Sequence, residues 1–487
     1  MKKTRIIAAL LAAQALFVSC GSTAGTEGTN DSTANDSDTT PVTEEVITAE
    51  KKLGKRDYGG KTFTILGREY AKLGNLPSYE FDTESENGDI INDTVYQRNR
   101  AVEDLLNVKI TAIQNTGGVT AIENSQMAGD GAYNLIWQHV NDMSSLFQKG
   151  LLSDYNEMPD IDITKEWWNQ LATESLTING RCYLQMNYIP FTGILLSHSL
   201  YFNKKIAEDN TVGDIYSLIR DDKWDFDTFA SLVKLVSSDV DGNGVYDEND
   251  KYGLLCSHGT SGIAFPVAMG TKPINVHADG SFELTMNTER NQSILEKLVS
   301  LTTDNSVYLL TDYSRENELA VMFSNGKSLF YSGFLTDSYQ FFRDMDNDFG
   351  LIPFPKYDNT QKNYITTVTG GTGLLGIPKY LEDREMTGAV IEALAIESLN
   401  RVYPVIFETV FDNKLLRDDE SREMFDLIMD GLEIDFGRTF KYAAYSDLIP
   451  DLVAKGSTDL SSAAAAQENA AREHYQTIID LFFQSEE

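Results

Sequence analysis

The sequence predicts an α/β fold divided into two lobes, each a mainly parallel sheet flanked by helices. Three observations carry this. From Lys61 the chain alternates between short apolar runs and amphipathic segments, the order that places helices over a parallel sheet. The body from about Tyr58 to Glu487 holds close to 430 residues, more than one hydrophobic core normally supports. Hydrophobic and aromatic contents of 41% and 10% are those of a chain able to fill such cores.

The elements follow in order. Lys61–Leu66 (KTFTIL) alternates toward a buried first strand that stops at Gly67. Asn92–Leu106 has helical spacing, with Val95, Arg98, Val102, Leu105 and Leu106 on one side. Val108–Ile113 and Tyr133–Trp137 are strands, and Met143–Lys149 is a helix stopped by Gly150. Tyr183–Tyr201 is expected to be strand-rich, with a helix beginning over Phe202–Glu208. Asp225 precedes an amphipathic helix, Asp227–Val236. Tyr252–Leu255, Ser328–Tyr331, Phe349–Pro355 and Leu374–Ile377 are further strands. From Glu385 onward nearly everything is expected to be helical, ending in the alanine-rich Ser461–Phe483.

The N-terminus sets the compartment. Lys2, Lys3 and Arg5 precede an apolar run, Ile6–Val18, too short to span a bilayer, and Ser19-Cys20-Gly21-Ser22 close it. This is an export signal (1–19) ending in a lipobox, with Cys20 as the lipidated first residue of the mature chain. Phe17 stands where leucine is usual. The alternative is an ordinary cleaved signal with an incidental cysteine; either way the protein leaves the cytoplasm. Residues 20–57 are Gly, Ser, Thr, Asn, Asp and Glu with few large apolar side chains, and are expected to form a disordered tether reaching roughly 35 Å. No later run of eighteen apolar residues occurs, so only the lipid would hold the protein at the extracellular face of the membrane.

Charge and motifs narrow the function. Net charge is −34, and −37 once the three basic residues of the leader are removed, which disfavours nucleic acid and anionic membrane as partners. Cys182 and Cys256 make no disulfide framework; free buried thiols and a single bridge both remain open. The sharpest chemical signal is Asp239-Val-Asp241-Gly-Asn243-Gly-Val245-Tyr-Asp247-Glu-Asn-Asp250. Oxygen donors at positions one, three, five, nine and twelve, a glycine at six and the Val245 carbonyl at seven have the spacing of an EF-hand-type calcium loop. Asp250 replaces the usual bidentate glutamate, and a strand rather than a second helix follows. A structural calcium clip is expected, against an acidic turn without an ion. No nucleophile elbow, zinc helix or phosphate-binding glycine loop occurs, and the many carboxylates make chance acid pairs inevitable.

Several segments together carry a resemblance. They are Tyr133-Asn-Leu-Ile-Trp137 before Gly150-Leu-Leu-Ser-Asp154, and Ser199-Leu-Tyr201-Phe-Asn203-Lys204. Next come Trp224-Asp225 through Phe229 leading into the acidic loop and Tyr252-Gly253. Phe323 to Lys327 with Gly333, Gly350 to Pro355, and Gly370-Gly371 with Ile377-Pro378-Lys379 complete the series. In this order they resemble the extracellular solute-binding lipoproteins of bacterial ABC importers, family 1, which is maltose-binding-protein-like. Asn92 to Arg100 and Trp167-Trp168 are similar to a divergent branch of it.

The resemblance implies a type II periplasmic-binding-protein-like fold. Lobe 1 would comprise 58–190 and 350–400, and lobe 2 191–349 and 401–487. The hinge crossings would fall near Tyr188–Thr192 and Phe349–Pro353. It implies a non-enzymatic monomer that captures a solute between its lobes, a sugar or oligosaccharide being the expected cargo, and delivers it to an ABC permease. By position it assigns ligand contacts to Arg68, Glu69, Tyr70, Trp137, Gln138, His139, Phe334, Gly370, Gly371 and Thr372. For Trp137 core packing is the competing expectation. An anchored carbohydrate-active enzyme, such as a glycoside hydrolase, is the alternative function, and a calcium-dependent adhesion module a weaker third.

Overall fold

The computed structural model describes residues 46–68, 80–114, 117–368, 372–407 and 418–484. The chain divides into two units, 1–48 and 49–487, and all that follows concerns the second. Signal residues 1–19 and Cys20 lie outside the described residues, as do Glu69, Tyr70, Gly370 and Gly371.

The folded body begins earlier than expected. Ala49–Leu53 forms a helix whose Ala49 and Leu53 are buried. It lies against the helix Arg384–Glu397, where the Ala49 amide donates to Glu397 Oε1 at 3.2 Å. Two apolar side chains at i and i+4 give this short segment a face to bury, so the folded body starts at Ala49 rather than Tyr58.

Fourteen strands are described: β1 Lys61–Gly67, β2 Val108–Gln114, β3 Leu135–Gln138, β4 Leu152–Ser153, β5 His198–Asn203, β6 Tyr252–Ser257, β7 Ile274–Val276, β8 Phe282–Leu284, β9 Val307–Leu310, β10 Ser328–Phe334, β11 Phe349–Ile352, β12 Thr366–Thr367, β13 Leu374–Pro378 and β14 Leu432–Glu433. Two five-stranded sheets carry the fold, in the orders β2-β1-β3-β13-β4 and β9-β6-β10-β5-β11. The orders correspond strand for strand. In each sheet three neighbouring strands are parallel and one strand is reversed, β13 in the first and β5 in the second. Each reversed strand is the first that the chain enters after leaving the other sheet. The near-continuous apolar runs of β5, β6 and β10 are those of strands covered on both faces.

Three apolar clusters fill the interior. One joins β1, β3 and β13 to the helix Arg384–Glu397. A second joins β5, β10 and β11 to the helices Glu316–Ser324 and Asp419–Asp430. The third and largest runs over the remaining faces of both sheets and takes in the last helix, Leu460–Leu481. Cys182 and Cys256 are buried free thiols, and burial pushes each up to about 12, far from reactive.

Two expectations for the passages between sheets change. Tyr183–Tyr201 is mostly irregular: only His198–Asn203 forms a strand, while Gln185 and Asn187 make single bridges to Leu375 and Trp168. Its backbone groups are satisfied from the side instead. Glu80 accepts the Thr192 amide at 2.9 Å, and the fully buried Arg98 donates to the Ile189 carbonyl at 3.3 Å. Phe349–Ile352, expected at the second crossing with residue 350 opening lobe 1, is an edge strand of the second sheet paired with β5. The return passage is therefore 353–373. A further passage follows the helix Arg384–Glu397, where a π-turn, Ser398–Val402, precedes Tyr403–Phe407. Arg98 also reaches Ser398 Oγ at 3.2 Å, so one buried guanidinium touches two of the three passages.

Candidate functional site

The parallel strands of both sheets end on the same side of the molecule, and the reversed strands begin there. A cavity of about 390 Å³ opens at this edge. The first sheet contributes Arg68, just after β1, and His139, just after β3. The second contributes His198 at the head of β5 and Gly259-Thr260 beyond β6. Thr372, Gly373 and Leu374 enter with β13. The wall opposite is made by Glu433, Ile434, Asp435, Arg438, Thr439 and Lys441. Loops beyond the carboxyl ends of parallel strands are where α/β proteins bind small ligands.

Local chemistry fixes these side chains. His139 Nδ1 accepts the Asn141 amide at 3.1 Å, capping the helix Val140–Gln148. Burial, then the charges of Arg68 and Lys441, hold its imidazole below the usual range and hence neutral. His198 is 2% exposed, packs at a tilt against Phe334 with ring centroids 5.0 Å apart, and leaves Nδ1 without a hydrogen-bond partner among the described residues. Burial and Arg438 push it down to about 3. Thr372, 1% exposed, likewise leaves its hydroxyl without a partner. Asp435 caps the short helix Phe436–Thr439 through the Arg438 amide at 2.8 Å, and burial beside Glu433 raises it to about 6. Glu433 is ion-paired with Lys272. Arg438 and Lys441 share the single carboxylate of Asp447, at 3.4 and 3.1 Å.

The assigned residues separate into two groups. Arg68, His139 and Thr372 line the cavity. Trp137 does not: it is 1% exposed and packs edge-on against Phe81 at 5.3 Å. Gly373 lies over it, where a Cβ would come within 2.7 Å of the indole nitrogen; with φ at +73° only glycine suits that position. Trp137 thus supports the cavity from beneath. Gln138 is buried, its amide against Gly118, and it faces away from the opening. Phe334 contacts His198 but lies outside the lining, and its backbone amide is held by Asp337 at 2.8 Å. No Trp, Tyr or Phe is among the described lining residues.

His198 and residues 433–441 were not legible beforehand. The latter were expected to be helical; Phe436–Thr439 is, but Gly431 opens a break before it in which β14 pairs with β12. Gly431, with the mixed charges after it, was the available signal.

The acidic loop lies apart from the cavity. Asp239, Asp241 and Asp250 bring carboxylate oxygens within 4.8 Å of one another. Asp250, fully buried, accepts the amides of Val240 at 2.8 Å and Asp247 at 2.9 Å. Asp239 accepts those of Gly242 and Gly244, at 2.7 and 2.8 Å. Asn243 joins Asp241 at 2.8 Å and takes the Val245 amide at 2.6 Å. Asp247 stands outside the converging group, its carboxylate accepting the Asn249 amide at 2.8 Å. As expected, a strand, β6, follows.

A family model described as bacterial extracellular solute-binding protein matches residues 99–395, more than half of the chain. The chain belongs to this family. A search of the curated proteins found no match. The family fits the mixed α/β architecture and an extracellular location. It makes the chain a binding protein that serves an ABC importer, and its members are in general not enzymes. No helix among the described residues is long and apolar enough to cross a membrane.

Proposed function

We propose that the cavity captures a small polyhydroxylated solute, of carbohydrate type, and that the two sheets form lobes which close over it before delivery to the permease. The observation that carries this is the cavity itself. It is fed by strand ends of both sheets and lined by hydroxyl, amide and imidazole groups, two of which are buried without partners. A bound solute would supply the missing hydrogen bonds. Hydrogen bonds from these groups would hold the solute by its hydroxyls. The hinge would lie in passages 188–197 and 353–373, with Arg98 and Glu80 fixing the first. Isothermal titration of the mature chain, made soluble by Cys20→Ala, against a panel of mono- and oligosaccharides tests this. Saturable binding with the sugar recovered unchanged is expected; hydrolysis of the sugar would favour the anchored hydrolase instead.

Two further parts of the reading rest on spacing. Cys20 would carry the acyl chains that hold the mature protein at the outer face of the membrane, and Cys20→Ala should abolish lipid labelling. The loop Asp239–Asp250 would bind calcium through Asp239, Asp241, Asn243, the Val245 carbonyl and Asp250. Asp247 would act through water, as the ninth position of such loops often does. Calcium should then raise the melting temperature through binding to the folded state. Identical melting curves with calcium and with chelator would contradict it.

A further inference from the structure

The charge in the cavity runs against the charge of the molecule. The chain holds 74 acidic and 40 basic residues, yet Arg68, Arg438 and Lys441 all line this one opening. Two carboxylates, Glu433 and Asp435, line it as well, and each is also engaged outside it. Glu433 pairs with Lys272, Asp435 caps a helix, and Asp447 alone serves both Arg438 and Lys441. Two helices also start at the cavity, one from each sheet. Val140–Gln148 begins beside His139, and Ser261–Ala268 begins at Thr260, whose side chain does not cap it. The partial positive charge of a helix N-terminus favours an anion, and uncapped amides can donate to it.

A second observation is independent of these dipoles. His198, 2% exposed, lines the same cavity and keeps its Nδ1 without a partner among the described residues, as Thr372 does its hydroxyl. A neutral imidazole can donate one hydrogen bond, and a hydroxyl can donate as well as accept. The cavity therefore sets three cationic side chains and several neutral donors against two carboxylates, inside a protein whose overall field would repel an anion at long range.

Accepting that the cavity is the solute site, we infer that its cargo carries an anionic group, a carboxylate or a phosphate, on a polyhydroxylated frame. The acid would sit between the N-terminus of Ser261–Ala268, His198 and the Arg438–Lys441 pair, with its hydroxyls toward Thr372 and His139. A charge-assisted contact of this kind is roughly twice as strong as a neutral one. The net field would reject the same anion wherever those donors are missing, so the site gains selectivity as well as affinity.

The test uses matched probes on the full mature chain carrying Cys20→Ala. Glucuronate and glucose differ in carboxylate against hydroxymethyl, and glucose 6-phosphate supplies the phosphate arm. At least one of the two acids should bind ten times or more tighter than glucose, and whichever wins identifies the acid group. Inorganic phosphate or acetate should raise the melting temperature above chloride at equal ionic strength. Arg438→Gln with Lys441→Gln should remove both effects; either substitution alone, should the pair fail to fold, should reduce them. Glucose binding as tightly as the acids would overturn the anionic cargo while leaving solute binding intact. An anion effect that survives in the variants would overturn its location. Chemical conversion of any probe would instead break the solute-binding reading on which the inference rests.

Discussion

The cavity and the acidic loop are both built from polar residues that the sequence singles out, and they end in opposite states. In the loop, every carboxylate that converges already accepts backbone amides from its own twelve residues. In the cavity, His198 Nδ1 and the Thr372 hydroxyl are buried and have no partner among the described residues. The loop is a locally closed turn that would stand with or without an ion. The cavity leaves hydrogen bonds unmade at a cost to stability, which is what a site awaiting a ligand does. The difference teaches that unpartnered buried groups lining a cavity, rather than density of charge, mark the binding region here.

That contrast can be broken most forcefully at Trp137, beneath the cavity. If it is core, Trp137→Ala should cost about 3–5 kcal/mol of unfolding free energy, read from denaturant titration, and weaken binding only through the loss of fold. A stable variant with abolished binding would return the indole to the ligand.

The next effect lies in the loop. Asp250→Ala should destabilise by about 2 kcal/mol even in chelator, because the Val240 and Asp247 amides lose their acceptor. Asp241, exposed at the surface, should cost under about 0.5 kcal/mol in chelator when replaced by alanine, while removing the calcium response. Equal costs for the two would mean that the loop has no internal division between scaffold and ligand.

How much of this was written in the sequence follows from range. The loop's residues lie within twelve positions, and a tight turn must bring them together, so spacing alone could find them. The strands β1, β2, β3 and β6 were likewise visible, because a buried strand is a continuous local run. The cavity draws Arg68, His198, Thr372 and Lys441 from across nearly four hundred positions, and only the sheet order brings them together. Ala49–Leu53 was hidden because two apolar residues in a polar leader become meaningful only against the helix that covers them. Trp137 was misplaced because a strand-end aromatic looks alike whether it faces the ligand or the floor beneath it.

The two regions should also titrate in opposite directions. Asp435, raised to about 6, is protonated in the folded protein at pH values where the unfolded chain is already ionised. Its contribution is therefore present below about pH 4 and lost as pH rises through 6. Asp239 is held below the usual range by the Gly244 and Gly242 amides, so its contribution is present above the usual carboxylate range and lost on acidification. Asp435→Asn, which keeps a capping oxygen, should flatten the fall in stability between pH 4 and 6 by roughly 1–2 kcal/mol. It should leave the acid limb below pH 4 unchanged. A variant that flattens the acid limb instead would reverse the assignment.

The smallest effect is at Thr372. Thr372→Val removes a hydroxyl that bonds nothing among the described residues while keeping the shape. Stability should hold or rise slightly, and solute affinity should fall about five- to tenfold, the value of one hydrogen bond. A loss of stability with unchanged binding would show that the hydroxyl serves the fold.

Hydrogen exchange with and without bound solute tests the central claim, that a solute is held between the two sheets. Protection is predicted to rise together in peptides covering 136–142 of the first sheet, 197–200 and 257–264 of the second, and 432–441 of the opposite wall. The loop 239–250 should be unchanged. Protection confined to the peptides of a single sheet, or centred on that loop, would contradict it.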